Sequence, residues 1–408
     1  MKFSKLSQLF LVSSIGLLVA TFLAACQLVS IDVLYVASSA GAGSSSDGVI
    51  NIYDVDAASG AIRPRTPAAS SGGASPVSMA VTSSYANLYV ANQGSSNNIL
   101  HLAVDLNGAL TAKDTVTGFG TPVSVSVNQA GTYLFVAAQQ GTTGALLAMS
   151  LGTDGTIGSG AVPTSLLVPG HAGDIVVPTG VFALANNNAV YVTAYDQSVY
   201  NPGGTVTPGD NANPGWIFGF TIDSHGVLTP TAGSPYQAGV KPSALAADPT
   251  SRFVYVTDFA SSQLIGYTIQ SGSTLNFFLA APTHTGNQPG AITFDPRGKF
   301  IYIVNELDST VNALAIDQAT GATTAAINVA NGFTDPTDTD PVAVVVDPAL
   351  GRFVYTANYL GNSVSGFRLD PTGGALTPTQ ATPYPSGAQP TALAIVPHGN
   401  HATQSVAP

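Results

Sequence analysis

Seven short apolar runs, each built on an aromatic, recur along the chain: Leu34-Tyr35-Val36, Leu88-Tyr89-Val90, Leu134-Phe135-Val136, Val190-Tyr191-Val192, Val254-Tyr255-Val256, Ile301-Tyr302-Ile303 and Val354-Tyr355-Thr356. Successive aromatics are 54, 46, 56, 64, 47 and 53 residues apart. Runs this short, rich in β-branched and aromatic residues, predict strands. Six of the aromatics follow a proline (Pro76, Pro122, Pro178, Pro242, Pro289 or Pro341) by 13 residues, or 14 in the last case. Between proline and aromatic the chain reads as strand, turn, strand. The turn is Asp-Pro at Asp248-Pro249, Asp295-Pro296 and Asp347-Pro348, where proline presets the backbone. A third strand follows each run, for example at 50–56, 217–223 and 364–370. Then come a glycine turn (Ser59-Gly60, Asn107-Gly108, His225-Gly226, Gly373-Gly374) and a short fourth strand. The prediction is an all-β, seven-bladed β-propeller of four-stranded antiparallel blades.

The chain ends predict how the ring shuts. No strand precedes the first run, at Tyr35, and no aromatic run follows the strand that begins at Pro390. The C-terminal strand should therefore join the N-terminal blade and leave no open edge. This gives one propeller over 33–398 and a tail over 399–408.

Ahead of the repeats, Lys2 and Lys5 lead into an apolar run from Leu9 to Leu23 that ends in Leu23-Ala24-Ala25-Cys26. Residues 1–25 resemble a bacterial lipoprotein signal, with Cys26 lipidated and 26–32 as a short tether; an ordinary secretory signal is the alternative. The expected location is the cell envelope: Gln27 after the cysteine points to the outer membrane or cell surface.

Composition narrows the function. With 8% charged and 45% hydrophobic residues, the chain is not intrinsically disordered, and 43 Gly and 27 Pro speak against a helical bundle. The net charge is −11; without Lys2 and Lys5 the remaining 9 basic residues face 22 acidic ones, for −13. No basic face for nucleic acid is available. One cysteine allows neither an internal disulfide nor a cysteine-based zinc site. No cofactor or metal motif is present, and a monomer is expected.

The units Phe253-Val-Tyr-Val-Thr-Asp and Phe300-Ile-Tyr-Ile-Val-Asn-Glu, each after an Asp-Pro turn, resemble the lactonase-type seven-bladed propellers. That family includes 6-phosphogluconolactonase-like proteins and shades into the YVTN repeats. The resemblance implies a site on the rim where first strands begin and second strands end. Val304-Asn305-Glu306 matches the family, and Glu306 is the candidate catalytic residue. Lys241-Pro242-Ser243 stands where the family carries His-Pro-His, and Pro289-Gly290-Ala291 where it carries Pro-Arg-His. A Glu and an Arg that the resemblance implies fall at Ala343 and near Tyr359, and an Asn implied near Pro390 is replaced by Thr391-Ala392.

Other candidates follow from position. The third residue after each aromatic is Ser38, Asn92, Ala138, Ala194, Asp258, Asn305 or Asn358. These either form a polar collar around the channel, with Asp258, Asn305 and Asn358 as ligand candidates, or cap strand ends. His171 and His284 fall in loops leading to the same rim. Asp335, Asp338 and Asp340 form either an oxygen-rich cation loop or an exposed acidic loop. The insertion 195–214 brings Tyr195 and Tyr200 near Trp216, where they either stack on a ligand or sit in a surface loop.

Two functions are carried forward. The first is a lipid-anchored module that binds a protein or glycan on its outward rim through a degenerate lactonase site. The second is a hydrolase of an unphosphorylated lactone using Glu306; among the basic residues outside the leader, only Lys241 is expected on that rim, too few for a phosphate. The tether enters at the Asp-Pro rim, which should face the membrane.

Overall fold

The computed structural model describes residues 29–39, 47–94, 97–171, 173–200, 214–277, 282–326 and 334–408. The leader, Cys26 and residues 201–213 of the insertion lie outside this set, as do the expectations attached to them. Seven antiparallel sheets form a ring, and every blade presents its first strand to the centre. In blade five, for example, the order from the centre outward is Pro242–Ala247, Phe253–Asp258, Gln263–Ile269 and Leu275–Phe277. In blades four to seven the outer edge is broken, so a second short piece also pairs with the third strand, as Thr283–His284 does in blade five. Among the described residues no helix is long and apolar enough to cross a membrane.

The ring closes as its ends predict. Ser30–Ser38 pairs with Val49–Asp56 on one side and with the C-terminal strand Pro390–Pro397 on the other, Asp32 opposite Pro397 and Ser38 opposite Pro390. One blade thus draws its strands from both ends of the chain. The strand begins at Ser30, three residues before the predicted boundary, and the predicted tail folds into the short 3-10 turn Gly399–Thr403 against the same blade.

The recurring aromatic explains how the blades are tied. All seven of these rings are buried, packed between neighbouring sheets. Six are tyrosines, and each donates its hydroxyl to a backbone carbonyl in the glycine or serine turn of the next blade. Tyr35 reaches Gly108 at 2.8 Å, Tyr89 reaches Gly155 at 2.7 Å, Tyr191 reaches Ser273 at 2.7 Å, Tyr302 reaches Gly374 at 2.9 Å, and Tyr255 reaches Gly321. Tyr355 of blade seven reaches Gly60 of blade one at 2.7 Å, carrying the pattern across the seam. A buried hydroxyl needs a partner, and here the partner is always one blade on. Blade three carries Phe135 instead, and Tyr133 two residues earlier bonds the next blade through Ser224 at 3.1 Å.

The Asp-Pro turns are tied from within. Asp295 accepts from the backbone N–H of Lys299 at 2.8 Å and of Phe300 at 2.9 Å, while Gly298 takes the left-handed conformation (φ 66°) that the turn requires.

Candidate functional site

The conserved geometry of the blades places the site. In each innermost strand the residue after the leading proline is a bulge: Val77, Val123, Thr179, Ser243, Gly290, Val342 and Thr391. Proline cannot donate to the ladder, so it stands at the strand's start and the bulge follows it. Just before each proline, and just beyond the third residue after each aromatic, lies a backbone pairing close to the rim. Phe259 N–H donates to Lys241 C=O at 2.9 Å, Glu306 to Gln288 at 2.9 Å, Tyr359 to Asp340 at 2.7 Å and Ser39 to Gln389 at 3.3 Å. Gln93 faces Ser75, Gln139 faces Thr121, and Tyr195 faces Val177. These seven pairs form the upper collar.

The collar is therefore one residue later than expected. Asp258, Asn305 and Asn358, together with Ser38, Asn92, Ala138 and Ala194, are buried inside the blades. Asp258 accepts from the backbone N–H of Val240 and of Lys241, each at 2.9 Å. Asn305 donates to Thr310 Oγ1 at 3.0 Å and Asn312 Oδ1 at 2.8 Å. Asn358 donates to Ser363 Oγ at 2.9 Å and Ser365 Oγ at 3.0 Å. The capping alternative describes Asp258, which bonds backbone, whereas Asn305 and Asn358 bond side chains within their own blades; buried in this way, all three are corrected as ligand candidates. A second strand in a propeller is covered on both faces by neighbouring blades, so the first side chains free to reach the channel mouth are those past its end.

Glu306, the single glutamate of the 408 residues, belongs to this collar. It is half-buried, and its pKa is pushed up to about 7, first by burial, then by the negative charge of Asp340, with Lys241 pulling the other way. Asp340 is itself raised by burial. Gly290 makes room for the carboxylate: a Cβ there would fall 2.2 Å from Glu306 Oε1. Lys241 is caged by aromatics, its Nζ lying 4.6 Å from the ring centre of Phe259, 5.4 Å from Tyr200 and 5.6 Å from Tyr195. Tyr195 and Tyr200 meet edge-on at 5.4 Å. One arc of the collar thus joins a proton acceptor titrating near neutrality to an ammonium held over aromatic faces. This is a pairing suited to activating a water and stabilising developing negative charge.

The remaining candidates scatter. His284 is exposed on the outermost strand of blade five, away from the channel. His171 is half-buried beside blade four, 3.0 Å from Asp174 and edge-on to Trp216 at 6.4 Å. His171, Asp174 and Asp196 bring their ligand atoms within 4.8 Å of one another. That trio is satisfied internally: Asp196 accepts from Ser198 N–H at 2.8 Å, and its carboxyl is raised by burial and by Asp174 beside it. The loop of Asp335, Asp338 and Asp340 is not exposed as one alternative had it. Asp335 is buried, and Asp338 accepts from Ser363 Oγ at 2.7 Å. Among the described residues, three acidic or histidine side chains converge in only two places, and this loop is neither.

Comparison with known proteins follows the same lines. The family model described as "Lactonase, 7-bladed beta-propeller" matches residues 20–157 and 219–404. No curated protein matches. A periplasmic gluconolactonase of Pseudomonas aeruginosa superposes with a TM-score of 0.71 at 20% identity, covering 90% of this chain and 99% of that one. A 6-phosphogluconolactonase candidate from Bacteroides uniformis gives 0.71 at 16% identity, covering 90% and 100%. At these identities the two structures share the fold.

Proposed function

This chain belongs to the seven-bladed β-propeller lactonase family, and from that premise we propose that the Glu306 rim hydrolyses an unphosphorylated lactone. Glu306, poised near neutrality by burial, takes a proton from a water as its oxygen attacks the lactone carbonyl carbon. Lys241 balances the negative charge that develops on the carbonyl oxygen. The ring C–O bond then breaks, the departing oxygen takes up the proton, and the product is the open hydroxy acid. The observation that carries the reading is the combination of Glu306, Lys241 and the Tyr195–Tyr200–Phe259 wall on one arc of the collar.

The proposal excludes a phosphorylated sugar. Arg252, Arg297, Lys299 and Arg352 flank the Asp-Pro turns on the opposite rim, where Arg297 is engaged by Asp295 at 2.9 Å. Among the described residues no arginine cluster stands beside Glu306, and phosphate recognition favours one.

The protein is also proposed to be anchored through Cys26, which fits its leader. Strand Ser30–Ser38 starts at the Asp-Pro rim, so a short tether would turn that rim to the membrane and Glu306 outward. An envelope location suits an unphosphorylated substrate, and gluconolactone is the first to try.

Purified protein is to be assayed on glucono-, galactono- and 6-phosphogluconolactone beside Glu306→Gln. Turnover of the unphosphorylated lactones, falling about 10²–10⁴-fold in the variant, is expected for loss of a general base. No turnover by folded wild type would overturn the reading. It would leave the aromatic collar as a binding surface for a glycan or protein.

A further inference from the structure

The opposite rim carries a cluster that lactone hydrolysis does not use. Asp32 lies on the chain's first described strand, Asp347 opens the Asp-Pro turn of blade seven, and His401 sits on the turn Gly399–Thr403 that follows the closing strand. Asp32 and Asp347 are 0% exposed and His401 is 5% exposed. We propose that Asp32, Asp347 and His401 bind a divalent transition-metal ion of the zinc class that fastens the seam of the ring.

The distances fit such an ion. His401 Nε2 lies 3.2 Å from Asp347 Oδ1 and 3.5 Å from Asp32 Oδ1, and one ligand atom from each residue falls within 4.8 Å of the others. Tetrahedral zinc with bonds of about 2.0–2.1 Å holds its ligand atoms about 3.3 Å apart.

The tautomer fits as well. His401 Nδ1 lies 2.7 Å from the Gln404 side-chain oxygen, which only accepts, so Nδ1 carries the proton. Nε2 faces Asp347 Oδ1 at 3.2 Å; with a cation between the carboxylates it would give up its proton and turn its lone pair to the ion. A metal-binding histidine is oriented in this way by an outer acceptor.

Asp32 is the independent sign. Both of its carboxylate oxygens are buried without a hydrogen-bond partner. Asp347 is anchored by the N–H groups of Ala349 at 2.9 Å, Leu350 at 3.2 Å and Arg352 at 3.1 Å, whereas Asp32 has no such support. Burying an ionised carboxylate with no hydrogen bond, and only a 3.5 Å approach to His401 Nε2, is expensive. Two carboxylates and a neutral imidazole bring a charge of −2, which one divalent cation cancels. The nitrogen donor favours zinc over calcium or magnesium, which prefer oxygen alone.

The ligands come from residues 32, 347 and 401, so the ion would join the N-terminal strand, the last blade and the C-terminal turn.

The test uses the purified protein, dialysed against a strong chelator and then titrated with zinc. One equivalent of zinc per chain is expected, with a melting temperature that falls on chelation and returns with that equivalent. Cobalt(II) should give visible ligand-field bands of a four- or five-coordinate site. His401→Gln and Asp32→Asn should lose the equivalent, and His171→Gln, at the other cluster, should keep it. If a variant fails to fold, the wild-type zinc count and cobalt spectrum decide. No stoichiometric zinc and no melting response in the wild type would overturn the proposal, leaving a histidinium between two carboxylates to hold the seam. Loss of the metal in His171→Gln with retention in His401→Gln would overturn it equally.

Discussion

Replacing Glu306 with glutamine should stabilise the protein, increasingly so from about pH 4.5 to 7 and fully above that. The side chain is held in its site with the pKa raised from 4.5 to about 7. Below pH 4.5 the carboxyl is protonated in both folded and unfolded chains and contributes no pH dependence. Between 4.5 and 7 the unfolded chain releases its proton while the folded one keeps it, so stability falls as pH rises. Above 7 the folded carboxylate is ionised and the full penalty is present. Each pKa unit is worth about 1.4 kcal/mol, so the shift sets a ceiling of about 3.5 kcal/mol, which partial solvent contact reduces to about 1–2 kcal/mol. Glutamine has nearly the same shape and never ionises. Melting temperatures of wild type and Glu306→Gln, measured from pH 4.5 to 8.5, should nearly coincide at the acid end and separate steadily. The variant should lead by a few degrees at pH 8. A difference independent of pH, or a variant less stable at pH 8, would refute the argument that burial sets this carboxyl's titration.

Three further predictions draw on the same geometry. Lys241→Met removes the positive charge that opposes the upward shift of Glu306, so the pH at which activity half-develops should move above 7, read from kcat/KM against pH. Gly290→Ala places a methyl 2.2 Å from the position of Glu306 Oε1 and pushes the carboxylate toward solvent; activity should fall and its ionisation should move toward 4.5 in the same profile. Tyr302→Phe strips the buried carbonyl of Gly374 of its donor and should cost about 1–3 kcal/mol in denaturation, without changing the pH profile.

Much of the fold is legible because it is written seven times. The Pro-to-Tyr spacing fixes a hairpin, the glycine turns fix the outer strands, and the unmatched strands at Tyr35 and Pro390 fix the closure. The tyrosine hydroxyl was less legible: its partner lies 73 residues on for Tyr35 and 295 back for Tyr355, a contact that exists only once the blades stand side by side. Glu306 and Lys241 are legible as rim residues, but the repeat spacing sets Asp258, Asn305 and Asn358 beside them one position too soon. Alternation marks the solvent side of an ordinary sheet; these strands are covered on both faces, so alternation carries no such mark here. Tyr195 and Tyr200 were legible as aromatics near a loop, though not as walls around Lys241, because Lys241 belongs to the next blade. The Asp32–Asp347–His401 cluster left no local trace, since its members are brought together by ring closure alone.

The central claim, that Glu306 is the base of a lactone-opening site, is tested most directly by kcat/KM for gluconolactone between pH 5 and 9, corrected for spontaneous hydrolysis. The structure predicts a rate that climbs tenfold per pH unit below about 7 and levels off above it, with that ionisation missing from Glu306→Gln. A profile of the same shape and height in the variant would contradict it.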